Sequence, residues 1–279
     1  MPIATSSGST KTDFPMLIPA TLLRKKLATD KPVVGIMATD LLSPLLVEIA
    51  QRSGLDYLII DREHGCFSDE TVAHVCQTGR LADFPVLVRT VSTETSIIRR
   101  IVDLGPCGIL LPNVETTAEL DEARNALFMP PRGRRRPGGA GNFWMKDFHY
   151  ETWRDDFEDS FIVIPQIESR AGIANVNAIA NHPLVTALGV GPYDLSADLG
   201  CCWDPENPEF RDSLKAIRSA ADKAGKKVWI GADAEAKYRE GYTFLWVGTF
   251  ASVLSGALSA LIGNLEDSGQ PEANDPPPA

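Results

Sequence analysis

Two acidic residues, Glu168 in the run IPQIES and Asp194 in GVGPYD, stand just past short apolar segments of the kind that form buried strands. Carboxylates on neighbouring loops offer the hard oxygen ligands that Mg²⁺ or Mn²⁺ prefers, and leave positions for water and a substrate. Each acid has a plainer alternative, capping the helix that follows, and Asp194 ahead of Leu195, Ser196 and Ala197 is well placed for it. Of the histidines, only His64 falls at the end of an apolar segment. Asp61, just before it, can accept a hydrogen bond from its ring and raise its basicity for acid–base work. The alternative is a rim histidine bonded to main chain. Arg89 ends FPVLVRT, and its guanidinium cannot lose its proton, so it needs an anion. A substrate carboxylate or enolate oxygen would serve, as would an internal ion pair with one of the acids just named. No lysine ends an apolar segment, since Lys226 and Lys227 precede one. A Schiff-base route to carbonyl chemistry is thereby disfavoured, and a metal ion remains as the electron sink.

Residues used in this way need a scaffold that presents strand ends side by side. The runs Val33–Met37, Tyr57–Asp61, Pro85–Arg89, Gly108–Leu111, Phe161–Ile167, Ala187–Val190, Lys227–Trp229 and Phe244–Val247 alternate with longer stretches of helical periodicity. That alternation predicts parallel strands joined by crossover helices, and eight such units close a (β/α)8 TIM barrel of the α/β class. Active sites of such barrels lie at the C-terminal ends of the strands, where Asp61, His64, Arg89, Glu168 and Asp194 fall. Two connections are too long for simple links. One, residues 130 to 160, carries Arg132, Arg134, Arg135 and Arg136 among glycines; the other, GPYDLSADLGCCWDPENPEF, follows the sixth run. Long rim loops cover or build sites. The arginine cluster therefore reads as a lid or neck gripping a small dianion, or as a subunit contact.

A chain of 279 residues fits one such domain, here spanning 18–265, with a Ser/Thr-rich tail over 1–17 and an acidic, Pro-rich tail over 266–279. Both tails are expected to be disordered. The net charge of −10 repels phosphates and anionic headgroups, which argues against nucleic-acid and membrane partners and for small molecules. The five cysteines follow no C-x-x-C spacing, so neither a disulfide framework nor a thiolate zinc site is expected. The N-terminus lacks the pattern of a signal peptide, and no apolar run is long enough to span a bilayer. These features together read as a cytoplasmic protein. The vicinal pair Cys201 and Cys202 is assigned no role.

The segments LDYLIIDREHG, FPVLVRT, PPRGRRRPGG, VIPQIESRAGIANV and GVGPYDLSADLG occur in the order found in the HpcH/HpaI aldolase family. From about residue 33 to 262 the chain resembles that family, which includes 4-hydroxy-2-oxoheptanedioate aldolase, 2-dehydro-3-deoxyglucarate aldolase and macrophomate synthase. The resemblance implies a class II aldolase in which Glu168 and Asp194 hold Mg²⁺, Mn²⁺ or Co²⁺. A 2-oxo acid, pyruvate or oxaloacetate, would chelate that cation through its carboxylate and keto oxygens. Arg89 would stabilise the enolate oxygen, and His64, oriented by Asp61, would act through water as general base on the 4-hydroxyl. Gln166 and the backbone around Pro192 and Tyr193 would position the pyruvate half, with Glu63 bonding metal-bound water. Cleavage would yield pyruvate and an aldehyde. Related readings are an oxaloacetate decarboxylase, a macrophomate-synthase-like C–C bond-forming enzyme, and a catalytically silent protein that binds metal and 2-oxo acid. The family also implies a homo-oligomer, trimer or hexamer, with the apolar helix at Leu254–Leu265 exchanged between subunits. Arg62, Tyr193, Arg136 and Phe250 depart from the family's usual residues, changes that narrow or recharge the pocket.

Overall fold

The computed structural model describes residues 17–136, 138, 149–231 and 233–267. Eight parallel strands close a barrel in chain order. They are β1 (Val33–Ala38), β2 (Tyr57–Asp61), β3 (Val86–Arg89), β4 (Gly108–Leu111), β5 (Ile162–Ile167), β6 (Leu188–Val190), β7 (Val228–Ile230) and β8 (Phe244–Thr249). Every run expected to be a strand is one, so the (β/α)8 reading holds. The helices are α1 (Leu17–Leu27), α2 (Leu45–Arg52), α3 (Asp69–Leu81), α4 (Thr95–Val102), α5 (Thr117–Leu127), α6 (Tyr150–Trp153), α7 (Arg170–Asn181), α8 (Pro192–Asp198), α9 (Pro208–Lys223), α10 (Ala234–Arg239) and α11 (Phe250–Asp267). Several start on a side chain that takes up a free amide of the first turn: Ser68 for α3, Ser169 for α7 and Asn207 for α9, with a full capping box of Thr116 and Glu119 on α5.

Strand alternation sorts the side chains into two layers. In β2, Leu58 and Ile60 pack outward with Val72 and Val75 of α3, whereas Tyr57 and Ile59 fill the barrel. In β3, Val86 and Val88 face the helices and Leu87 faces in. In β5, Ile162 and Ile164 face in. The same parity turns Asp61, Arg89 and Gln166 inward at the strand ends, and register pairs Asp61 with Arg89 directly. A polar residue closing an apolar strand thus arrives at the mouth by counting in twos.

The opposite end is closed by α1. Its Ala20, Leu23 and Leu27 join the interior cluster beside Val33, Tyr57, Cys107 and Ala187, all at or next to strand starts. Arg24 donates to the carbonyls of Ser160 (2.8 Å) and Phe161 (2.7 Å) and to Thr186 Oγ1 (3.1 Å), tying α1 to the entrances of β5 and β6. Inside, Tyr57 packs where Gly35 has no side chain, since a Cβ there would lie 2.3 Å from the ring. The Tyr57 hydroxyl donates to the Leu245 carbonyl at 2.5 Å and accepts from Trp229 Nε1 at 2.8 Å.

The described parts of the first long connection, which joins α5 to β5, lie at the N-terminal end of the strands and not on the rim. Arg132 pairs with Asp159 (2.7 Å) and Glu158 (3.3 Å) and sits over the Phe128 ring. Arg135 is buried, paired with Asp103 at 3.0 Å and flanked by the rings of Trp153 and Phe157. The lid expected of this cluster is corrected for these two residues, because helix-to-strand links of a parallel barrel emerge on the face away from the site. Much of the remaining loop, 139–148, and the tail segments 1–16 and 268–279 lie outside the described residues. No described helix is long and apolar enough to cross a membrane.

Candidate active site

Asp61 and Arg89 form the buried centre of the mouth. Arg89 Nε donates to Asp61 Oδ1 at 2.9 Å and Nη2 to Oδ2 at 2.6 Å, while Nη1 lies 3.2 Å from Glu63 Oε2. Asp61 further accepts from Thr39 Oγ1 (3.0 Å) and from the main-chain amides of Glu63 (3.0 Å) and His64 (3.3 Å). Burial alone would raise the Asp61 carboxyl, but the hydrogen bonds and charge of Arg89 outweigh it and hold the group below its usual range. Burial likewise disfavours the Arg89 cation, and Asp61, Glu63 and Glu168 overcome that and raise it.

The expected contact between Asp61 and the His64 ring is not the one formed. Both carboxylate oxygens are taken up by a guanidinium that must be paired, so Asp61 reaches His64 only through its amide. The His64 side chain is 60% exposed, its Nε2 4.0 Å from Glu63 Oε2. It stands over the mouth without a fixed partner for the ring among the described contacts.

Glu168, at the end of β5, is buried. Its Oε2 accepts from the Asn113 amide at 2.8 Å, and its Oε1 from Gln166 Nε2 at 2.7 Å. Burial pushes its carboxyl up to about 7; Asn113 opposes this, the charges of Asp194 and Glu63 add to it, and Arg89 partly offsets it. Glu63 is also raised, first by burial, with Asp61 and Asp194 adding to the effect. Gly191 makes room for Glu168, since a Cβ there would fall 1.9 Å from Oε1. Asp194 is exposed in the first turn of α8.

Neither acid caps a helix through its side chain: Ser169 caps α7, and α8 begins at Gly191 with no side-chain cap. The capping alternative is thereby removed for both. Thr39, Asn113 and Gly191 are the site residues that sequence reasoning missed. Only Gly191 left a signal, the G-x-G ahead of Pro192.

The donor set fits a hard divalent cation. Arg89 is matched by Asp61 and Glu63, while Glu168 and Asp194 have no ion-pair partner among the described contacts. Gln166 Oε1 is buried without a hydrogen-bond partner. Among the described residues no group of three or more His, Cys, Asp or Glu side chains is placed to hold a metal ion. Beside it, Pro192 and Tyr193 form one wall of a cavity of about 660 Å³ that runs between α8, α9 and α10. Tyr193 packs against Trp203, ring centroids 4.4 Å apart. Arg62, by contrast, turns to Asp69 at 2.6 Å.

A family model described as HpcH/HpaI aldolase/citrate lyase matches residues 37–254. A hydroxypyruvate/pyruvate aldolase of Chromohalobacter salexigens is 34% identical over 216 residues, 75% of this chain and 84% of that protein. A 2-keto-3-deoxy-L-rhamnonate aldolase of Klebsiella pneumoniae is 30% identical, over 82% of this chain and 88% of its own. The crystal structure of an HpcH/HpaI aldolase from Desulfitobacterium hafniense matches with a TM-score of 0.78 at 28% identity, covering 91% of this chain and 99% of the other. With its barrel, its mouth of acids around one arginine, and matches that span most of its length, this chain belongs to the HpcH/HpaI aldolase/citrate lyase family and is a carbon–carbon lyase.

Proposed function

We propose that the chain is a divalent-metal-dependent class II aldolase that cleaves or forms 4-hydroxy-2-oxo acids by way of the pyruvate enolate. The observation that carries this reading is the buried Glu168 carboxyl at the end of β5, held by the Asn113 amide and Gln166 Nε2 and lying near the charges of Asp194 and Glu63. A buried carboxyl with a second acid near it is suited to a divalent counter-charge. Glu168 and Asp194 are its ligands, and Mg²⁺ is the cation we favour over Mn²⁺ or Co²⁺. When bound, the cation supplies Lewis acidity toward the carboxylate and keto oxygens of the 2-oxo acid, pyruvate or oxaloacetate.

The protein's own groups do the rest. His64 accepts the 4-hydroxyl proton through a water, the C3–C4 bond breaks, and the aldehyde departs. The electron pair passes into the enolate, whose oxygen Arg89 faces with a charge fixed by Asp61. Protonation at C3 then releases pyruvate. Gln166 and the backbone at Pro192 and Tyr193 orient the pyruvate half, and Glu63 anchors a water at the mouth. The apolar residues that α11 exposes, among them Leu254, Leu258, Leu261 and Leu265, support exchange of this helix between subunits of a homo-oligomer.

The test follows pyruvate methyl protons by NMR in D₂O. Exchange should need Mg²⁺, Mn²⁺ or Co²⁺ and stop in EDTA. Full exchange in EDTA, or none with any of the three cations, overturns the reading.

A further inference from the structure

Trp246 on β8 shares an inward layer of the barrel with Glu168. Register sets Gln166 beside Gly189, Gly189 beside Trp229 and Trp229 beside Phe244, which makes one inward row running from β5 to β8. Inward positions recur every second residue, so the row above it, two residues further on, is Glu168, Gly191, Gly231 and Trp246. Only two glycines separate the buried acid from the indole.

Both side chains lie over those glycines. A Cβ on Gly191 would fall 1.9 Å from Glu168 Oε1, and a Cβ on Gly231 would fall 2.0 Å from Trp246 Nε1. Neighbouring strands run about 4.8 Å apart, so the carboxylate and the indole N–H approach the same space from opposite sides. A side chain on either glycine would fill it.

The indole rests on a second one. Trp229 stacks against Trp246, with ring centroids 5.8 Å apart and planes 15° from parallel. Trp229 Nε1 is satisfied, donating to the Tyr57 hydroxyl at 2.8 Å, whereas Trp246 Nε1 is buried without a hydrogen-bond partner among the described residues. An indole N–H can only donate. Gln166 Oε1, in the row beneath Glu168, is likewise buried and unanswered, and this acceptor does not meet that donor. Orphaned groups of this kind are costly and rare in a packed interior, so two of them beside a buried carboxyl mark a place kept for a polar ligand.

We propose that Trp246 is a substrate-binding residue, its Nε1–H donating to an oxygen of the 2-oxo acid held beside Glu168. The inference rests on the aldolase reading above. An indole gives the anion a donor without adding charge, and it does so from β8, while Arg89 faces the site from β3.

Two substitutions separate the N–H from the ring that carries it. Trp246→Phe keeps an aromatic ring against Trp229 and removes the N–H; Gly231→Ala keeps the N–H and pushes it aside. Oxalate, which carries the two chelating oxygens of a 2-oxo acid, is the probe. Isothermal titration of the Mg²⁺-saturated protein with oxalate should give a Kd about tenfold or more weaker in each variant, the scale of a hydrogen bond to a charged acceptor. Pyruvate proton exchange should show a similar rise in KM with a smaller change in kcat, and Mg²⁺ affinity without oxalate should stay at the wild-type value. Oxalate should also shift the tryptophan emission of the wild type and not that of Trp246→Phe. A lowered Tm with oxalate affinity and KM unchanged makes Trp246 a packing residue and overturns its role alone. Loss of Mg²⁺ affinity alongside oxalate affinity also overturns it, because the indole then supports the acids and not the substrate. Absence of both oxalate binding and proton exchange in the wild type overturns the aldolase reading and the role of Trp246 with it.

Discussion

Arg89 and Asp61 sit opposite each other in the β2–β3 register and meet edge to edge through two hydrogen bonds of 2.9 and 2.6 Å. One carboxylate thereby fixes the plane of the guanidinium and leaves Nη1 turned toward Glu63. Lysine cannot reproduce a planar fork. Arg89→Lys should therefore lose pyruvate proton exchange nearly as fully as Arg89→Ala. In Arg89→Ala the buried Asp61 is also left unpaired, a change that costs about 3–5 kcal/mol, so its Tm should drop as well. Wild-type exchange in either variant would reduce Arg89 to a partner of Asp61.

At the proposed metal site, Gly191 should bear on affinity without being a ligand. A methyl group there would overlap Glu168 Oε1, so Gly191→Ala should weaken Mg²⁺ binding by displacing the carboxylate. Glu168→Ala and Asp194→Ala should abolish metal-dependent turnover, each removing one of the two ligands proposed. Isothermal titration with Mg²⁺ or Mn²⁺ checks all three. Undiminished affinity in Glu168→Ala would remove it from the ligand set.

The pH dependence has a definite sign. Glu168 titrates near 7 in the folded, metal-free protein, above the ordinary carboxyl value of 4.5. Its contribution to metal-free stability is then full below the ordinary value and lost as pH rises through about 7. Metal binding requires the carboxylate and releases the proton, so affinity should fall by up to about tenfold per unit below pH 7. Thermal melts in EDTA from pH 5 to 8 should show this loss in the wild type and not in Glu168→Gln, and the gain in Tm from Mg²⁺ should be larger at pH 8 than at pH 6. Identical profiles for the two proteins would contradict the assignment.

His64→Ala should slow aldol cleavage by about 10²–10⁴-fold, the usual worth of a general base. Oxaloacetate decarboxylation forms the same enolate with no hydroxyl to deprotonate, and should be spared. Equal losses in both reactions would make His64 a binding or structural residue.

Strand positions and the acids at strand ends were legible in the chain because a buried parallel strand must be apolar along its length, and a polar residue that ends it stands out. Partner choice was not legible. Asp61 precedes His64 closely enough to suggest their pairing, but register across β2 and β3 gives it to Arg89 instead. Thr39 and Asn113 contribute an ordinary hydroxyl and a main-chain amide, which no residue pattern marks. Arg132 and Arg135 of the first long loop read as a lid or neck, or as a subunit contact, and the lid fails for these two because a link from helix to strand leaves by the other face. α1 lies before the first strand, outside the repeating unit, and nothing in its sequence marks it as the piece that fills the barrel's lower end.

That piece has a kinetic meaning. With α1 seated in the base and Arg24 bolting it to the entrances of β5 and β6, that end of the barrel is closed by described residues. On the proposed reading the 2-oxo acid lies at the other end, against Arg89 and Glu168, so both reactants would come and go by the mouth. Under that reading traffic would become a stack, with the 2-oxo acid entering first and leaving last.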